Sequence, residues 1–225
     1  NVHEASFKLE AAVSYLPPGT IHVSVVDPGV GTNRSILAAG IGNSFYLAPD
    51  NGMLGSVLNR DSCAKIYKVQ NSAYMLENVS QTFHGRDIFA PVAAHLSFGV
   101  PISEMGPEIF SKDIVDLAVE EAFLTAQGEI HGQFLYADRF GNLITNIHFA
   151  LLEKIQKKYG ETLEIQAGKY HINQFGKTYA EGTLRKPVAL IGSSGYLEIA
   201  VNMGSAARML SDVREHAVKV RLRKN

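Results

Sequence analysis

The chain of 225 residues contains one cysteine, Cys63. No internal disulfide can form, and a cysteine metal cluster is excluded. A lone thiol suits a reducing compartment, so a cytoplasmic location is expected. Charge of one sign is also lacking. Twenty-one basic against 22 acidic residues leave a net charge of −1, so there is no global pull toward nucleic acid or an anionic membrane. No apolar run approaches the roughly 18 residues of a membrane helix, and the first residues do not read as a secretory signal. The eight histidines are scattered, with no H-x-H, H-E-x-x-H or C-x-x-C spacing, so no metal site is expected. Internal repeats and low-complexity segments are absent. The glycine-bearing stretch "VDPGVGTNR" does not end in Gly-Lys-Ser/Thr and does not read G-x-G-x-x-G.

What is present is an ordinary globular composition, 46% apolar and 19% charged. The length allows one large domain or two small ones. "NVHEASFKLEAAVSYLPPG" reads as an amphipathic helix. Asn1 caps it, Glu4 is placed for the return half of a capping box, and Pro17-Pro18-Gly19 ends it. From Thr20 to Phe98 short apolar strands alternate with helical stretches, which predicts an α/β layer with a largely parallel sheet. "TIHVSVVD" reads as a fully buried strand. "SILAAGI", "SFYLAPD" and "AKIYKV" are further strands. "NGMLGSVLNR" is a short helix started by Asp50 or Asn51, and "RDIFAPVAAHLSFG" a longer one. Near residue 125 the texture changes to strand-rich, with one helix at "FALLEKIQKKYG". The expected organisation is an α/β N-terminal domain over 1–125 and a smaller, β-rich C-terminal domain over 126–225.

Four clusters carry the polar chemistry, at strand ends and turns where α/β sheets form ligand crevices. In "HVSVVDPGVGTNR", Asp27 ends a strand, Pro28-Gly29 turns the chain and Arg34 returns. The simple reading is a turn with an Asp–Arg ion pair. The functional one is a site whose glycines, Gly29 and Gly31, let a ligand approach the backbone. In "TFHGRDIFAP", His84 precedes a helix N-terminus, where the dipole favours a neutral, base-competent ring; a satisfied structural histidine is the alternative. In "DRFGNLITN", Asp138, Phe140, Asn142 and Asn146 make either an Asx-rich hairpin turn or a pocket for an amine- or amide-bearing molecule. In "GSSGYLEIAVNMGSA", Ser193-Ser194 between glycines is a turn or a carboxylate-binding loop. It is not a G-x-S-x-G elbow, which disfavours a serine hydrolase. These readings reach a two-domain protein with a small-molecule pocket and do not name the reaction.

Taken together, "VDPGVGTNR", "YLAPDNGML", "TFHGRDIFAPVAAHL", "DRFGNLITNI" and "SSGYLEIAVNMGSA" resemble the S-adenosylmethionine hydroxide adenosyltransferases (S-adenosylmethionine hydrolases), the water-using relatives of fluorinase and chlorinase. The segments span nearly the whole chain in the family's order. The resemblance implies that Asp27, Arg34 and His84 form a triad that holds and activates water. The water attacks the ribose 5′ carbon of S-adenosylmethionine, giving adenosine and methionine, with either His84 or Asp27 accepting the proton. It further implies that Pro28 and Phe83 pack near the ribose and adenine, with Gly85 beside them. Phe140 and Asn142 meet the adenine, Asp138 the methionine amine, and Ser193 the methionine carboxylate. Asn202 and Met203 fall where backbone groups meet the adenine edge. The implied fold is an α/β domain followed by a β-barrel-like domain. The implied assembly is a homotrimer with active sites between subunits; the only ligand is the small-molecule substrate, and no cofactor is needed.

Within the family, three features favour water over halide. An acid stands at Asp27 where the halogenases have a non-acidic residue, Gly85 stands where fluorinase has a serine, and only Gly42-Asn43 joins two strands that fluorinase separates by an insertion. The family also has an upstream segment of about fifty residues, with a T-D-F-G-like strand whose Asp binds the ribose hydroxyls; nothing here matches it, so such a segment is expected in the native protein. The competing expectation from another class is a non-catalytic binder of adenosine or S-adenosylmethionine, against which the intact set of Asp27, Arg34 and His84 speaks. A chlorinase- or fluorinase-type enzyme is the remaining alternative.

Overall fold

The computed structural model describes residues 1–117, 120–159, 163–213 and 217–222. The chain forms two compact units, Asn1–Ala118 and Val119–Asn225. The division falls ahead of residue 125 because a short strand, Phe123–Leu124, already pairs with the second unit's sheet.

In the first unit, α1 (Val2–Val13) starts at Asn1, whose side chain accepts the Glu4 N–H at 3.3 Å. The capping box is only half made: the Glu4 carboxylate turns forward to Lys8 Nζ at 2.5 Å instead of back to the cap. Strands β1 (Ile21–Val23), β2 (Ile36–Ile41), β3 (Ser44–Pro49), β4 (Lys65–Lys68) and β5 (Glu108–Ile109) form one sheet in the order β1-β3-β2-β4-β5. Helix α2 (Gly55–Leu58) precedes β4, and α3 (Ala90–Ser97) precedes β5.

The sheet is not largely parallel as expected: β1·β3 is its parallel pair, and β2·β3, β2·β4 and β4·β5 are antiparallel. The two-residue Gly42-Asn43 loop forces β2 and β3 into a hairpin, with Gly42 at φ +55°. The predicted strand over 20–27 is cut to three residues at the sheet edge. Ser24 N–H still reaches Leu47 O at 2.9 Å, but Val23 and Val25 are 45% and 41% exposed.

Alternate residues of β2 serve opposite cores. Leu37 and Ala39 pack with Leu9 of α1 and with Leu54, Val57 and Leu58 at α2. Ile36 and Ala38 pack with Ile88, Phe89, Val92 and Leu96 at α3. Helices thus cover both faces of the sheet.

In the second unit, β6 (Phe123–Leu124), β7 (Ile130–Ala137), β8 (Leu143–His148), α4 (Phe149–Tyr159), β9 (Leu163–Ala167), β10 (Tyr170–Ile172), β11 (Pro187–Ile191), β12 (Tyr196–Val201), α5 (Ala206–Met209) and β13 (Ala217–Leu222) follow in order. The sheet path is β10-β9-β13-β7-β8-β12-β11, with β6 added on β7. Its two ends meet through Ala189: its N–H donates to Gln174 O at 2.8 Å, and its carbonyl accepts Gly176 N–H at 2.9 Å. The result is a nearly closed barrel. Ile130, Leu143, Ile147, Ile165, Leu197, Ile199, Val218 and Val220 fill its core, with Leu152 and Ile155 of α4 packed in. Among the described residues no helix is long and apolar enough to cross a membrane.

Candidate active site

Two tight turns follow β1. Val30 N–H bonds Asp27 O at 3.2 Å and Thr32 N–H bonds Gly29 O at 3.1 Å, so the chain doubles back and Arg34 lies over Asp27. Arg34 Nε donates to Asp27 Oδ2 at 2.6 Å, and Nη2 contacts the same oxygen. Nη2 also meets His84 Nδ1 at 2.9 Å. The three sequence-predicted residues therefore form one hydrogen-bonded cluster in the first unit. It is well shielded: the side chains of Arg34 and Asp27 are 10% and 4% exposed.

A guanidinium has only donors, so His84 Nδ1 must accept, and the ring proton sits on Nε2. Asp27 uses only Oδ2. Its Oδ1 is the one fully buried side-chain oxygen or nitrogen without a partner among the described residues. A buried acceptor left unmet costs about 1–3 kcal/mol, and more when charged. An orphan of that kind in a folded protein calls for a reason.

The two glycines of this loop differ in the space around them. Gly31, at φ +80°, leaves no room for a Cβ, which would lie 2.6 Å from Gln81 O. Gly31 therefore lets the 81–84 segment dock on the Asp27 loop. At Gly29 a Cβ would make only ordinary contacts, the nearest at 3.5 Å. Neither Asp50 nor Asn51, the two residues expected to start α2, caps it. Asn51 is engaged elsewhere. Its Nδ2 holds Val26 O at 2.9 Å, directly before Asp27. Asp50 instead accepts Val115 N–H at 2.9 Å.

His84 caps a widened, π-helical turn, Gly85–Phe89, that leads into α3. Asp87 within it is fully buried. The Arg86 guanidinium, then the Ser80 N–H, holds the Asp87 carboxyl below its usual range. Phe83 is 59% exposed with Arg86 over its ring at 5.0 Å. Pro28 is exposed, and Gly85 packs openly near Val25.

In the second unit the candidates divide by what already occupies them. Asp138 Oδ1 accepts the N–H groups of Phe140 at 2.9 Å and Asn142 at 2.8 Å, and Oδ2 accepts Asn142 Nδ2 at 2.9 Å. This is the Asx-turn reading realised, with Asp138 and Asn142 bound to each other. Asn146 accepts Gln133 N–H at 2.8 Å and donates to Glu120 O at 2.7 Å. Asn202 Nδ2 holds Gly182 O at 2.7 Å, tying down the segment that crosses β11 and β12. Phe140 and Met203 stand 82% and 84% exposed, with Met203 at φ +54°. Ser193 is exposed in the β11–β12 turn.

Sequence reasoning missed Glu198. It is buried on the outer face of β12 and accepts Tyr179 Oη at 2.9 Å. A Cβ at Gly192 would overlap its Oε1. Burial, and then the charge of Asp138, push Glu198 above the usual carboxylate range, while the Tyr179 hydrogen bond opposes this. The Tyr179 hydroxyl is pushed up to about 12 by burial first and then by Glu198. No group of three or more His, Cys, Asp or Glu among the described residues is arranged to hold a metal ion.

The chain is similar to known proteins along most of its length. Residues 1–106 match the model of the SAM hydroxide adenosyltransferase N-terminal domain, and residues 132–218 that of the C-terminal domain. The chain is 35% identical to an (R)-S-adenosyl-L-methionine hydrolase of Thermus thermophilus, over 93% of this chain and 79% of that protein. It is 35% identical to one of Salinispora tropica, over 93% and 77%. The crystal structure of an uncharacterized conserved protein from Thermotoga maritima superposes with a TM-score of 0.84 at 33% identity, covering 98% of this chain and 84% of that one.

Proposed function

The chain belongs to the SAM hydroxide adenosyltransferase family, and on that premise we propose that it hydrolyses S-adenosyl-L-methionine to adenosine and methionine through Asp27, Arg34 and His84. The observation that carries the residue assignment is the orphaned Asp27 Oδ1. His84 Nδ1 is occupied by Arg34, so its neutral ring offers water a donor, Nε2–H, and no acceptor. Asp27 Oδ1 is the acceptor left over, and it takes the proton.

The step balances without a cofactor. Water oxygen forms a bond to C5′ of the ribose. The C5′–S bond breaks, and its electron pair stays on the sulfur of methionine. The water proton passes to Asp27 Oδ1 and on to solvent. The sulfonium is a good leaving group as it stands, so no general acid is required. The residues contribute alignment and a desolvated, electrostatically held nucleophile. The Arg34 guanidinium favours hydroxide character in the bound water.

In the second unit, Phe140, Met203 and Ser193 are free to meet substrate, the first two at the nucleoside and Ser193 at the methionine carboxylate. Asp138 and Asn142 act mainly by shaping the turn that presents Phe140, and the outward side of Asp138 remains available to the methionine amine. The assembly is a homotrimer with active sites between subunits. The exposed Val23, Val25 and Phe83 beside the triad support a surface that is covered in use. The compartment is the cytoplasm, as the unpaired Cys63 suits.

The test is incubation with S-adenosyl-L-methionine, with and without chloride, followed by chromatography of the nucleoside. Adenosine and methionine should form at the same rate in both. Unchanged substrate would make the protein a binder, and a 5′-chloro nucleoside would make it a halogenase.

A further inference from the structure

Resting on the reading of His84 as part of this site, we propose that Asp87 is its positioning residue: the Asp87 carboxylate fixes the segment on both sides of His84 and so sets the ring nitrogen that Arg34 grips. Asp87 touches neither Asp27 nor Arg34 by any hydrogen bond in the structure. Its bonds all run to the segment that carries His84. Oδ2 accepts Ser80 N–H at 2.8 Å and Arg86 Nη2 at 3.1 Å, and Oδ1 accepts Arg86 Nε at 2.5 Å. Its backbone carbonyl accepts Leu76 N–H at 2.9 Å, and its own N–H donates to Phe83 O at 3.1 Å. One fully buried residue is thereby bonded to positions 76, 80, 83 and 86. Arg86, held in the fork, lies over Phe83.

The helix itself does not need this carboxylate. Ile88, Phe89, Val92 and Leu96 hold α3 against the sheet by apolar packing. The segment from 76 to 84, in contrast, has no strand and only one short 3₁₀ turn, ending at Tyr74, ahead of it. Beyond Asp87, it is anchored by the close approach of Gln81 to Gly31 and by the hydrogen bond between Arg34 and His84. The widened turn at Gly85–Phe89 is the kind of helical irregularity that recurs at functional sites. Removing the Asp87 charge therefore loosens the His84 segment and leaves the core in place.

The test uses two variants of the full chain, Asp87→Asn and Arg86→Gln. Asparagine keeps the shape but cannot accept from both Ser80 and the Arg86 fork. Arg86→Gln removes the fork at a side chain that is 61% exposed, so it carries the test if Asp87→Asn fails to fold. The first readout is the ¹⁵N spectrum of the His84 ring, assigned with His84→Asn. The parent should show a fixed Nε2–H tautomer, and each variant a tautomer average. This readout holds whether or not the protein turns over S-adenosyl-L-methionine, so it stands apart from the functional reading. The second is kinetic: kcat should fall up to roughly 100-fold, as for a displaced catalytic group, with KM within about threefold. Unchanged His84 signals in the folded variants would overturn the proposal, whatever the kinetics. So would altered signals with unchanged kcat.

Discussion

Replacing Asp27 by asparagine separates the proton acceptor from the ion pair. The side chain is 4% exposed and binds Arg34 through one oxygen only. An asparagine can offer its amide oxygen to Arg34 Nε and keep that bond. Its amide nitrogen then takes the place of the orphaned Oδ1, turning an acceptor into a donor. A positioned general base contributes about 10²–10⁴ in rate, so kcat should fall by that factor, which is roughly 3–5 kcal/mol of barrier. Stability falls too, because Arg34, 10% exposed, loses its counter-charge. Breaking a buried pair costs about 3–5 kcal/mol, and the retained amide bond puts this variant near 3. In a chain of this size that lowers Tm by roughly 6–12 °C, so the assay belongs well below the transition. Adenosine release measured by chromatography gives kcat, and calorimetric titration gives substrate affinity, which should change less than threefold. A folded variant with kcat within threefold of the parent would refute Asp27 as the acceptor.

Gly31→Ala places a methyl against Gln81 O at a positive φ. It should lower kcat more than it raises KM, and a variant with parental kcat would show that the 81–84 segment need not dock there. Asp138→Ala removes three hydrogen bonds within its own turn, at roughly 1 kcal/mol each. Thermal unfolding should show a loss of about 3 kcal/mol, and titration should show weaker binding of both methionine and adenosine; loss of methionine binding alone would assign Asp138 to the amine only. Glu198 has a folded pKa above its unfolded one, chiefly through burial. The folded state then binds the extra proton, so its contribution to stability is greatest below the unfolded pKa and is lost as pH rises through the folded one. Glu198→Gln keeps the acceptor for Tyr179 and should raise Tm at pH 8 relative to the parent, with a smaller gain at pH 4; an equal shift at both would mean the charge is not the cause.

Asp27, Arg34 and His84 were each legible as polar residues at a turn or helix start beside glycines; their grouping was implied by the family resemblance, and the hydrogen bonds bring the three together. The strand segments of the first sheet and the strands of the barrel were legible from alternation and turn residues. The pairing direction of the first sheet was not. Helices cover both of its faces, so β2 reads as a continuous apolar run, the pattern that a buried parallel strand also gives. Asp87 lies near the start of the predicted helix "RDIFAPVAAHLSFG", and its bond to Ser80 was not legible because Ser80 lies in a segment with no periodic signal. Glu198 sits at an outward position of β12, where strand alternation alone marks a solvent-facing residue. It is buried because the segment after β10 crosses β11 and β12 and brings Tyr179 over it, a contact that no local pattern announces. The Asx turn at Asp138 was one of two open readings, and only the hydrogen bonds decide what its oxygens hold.

The most direct test of the account is the fate of the oxygen. Turnover of S-adenosyl-L-methionine in ¹⁸O-labelled water, followed by mass spectrometry of the nucleoside, should give adenosine carrying one ¹⁸O atom at the 5′ position and methionine carrying none. Adenosine without the label, or a nucleoside with any atom other than solvent oxygen at C5′, would contradict it.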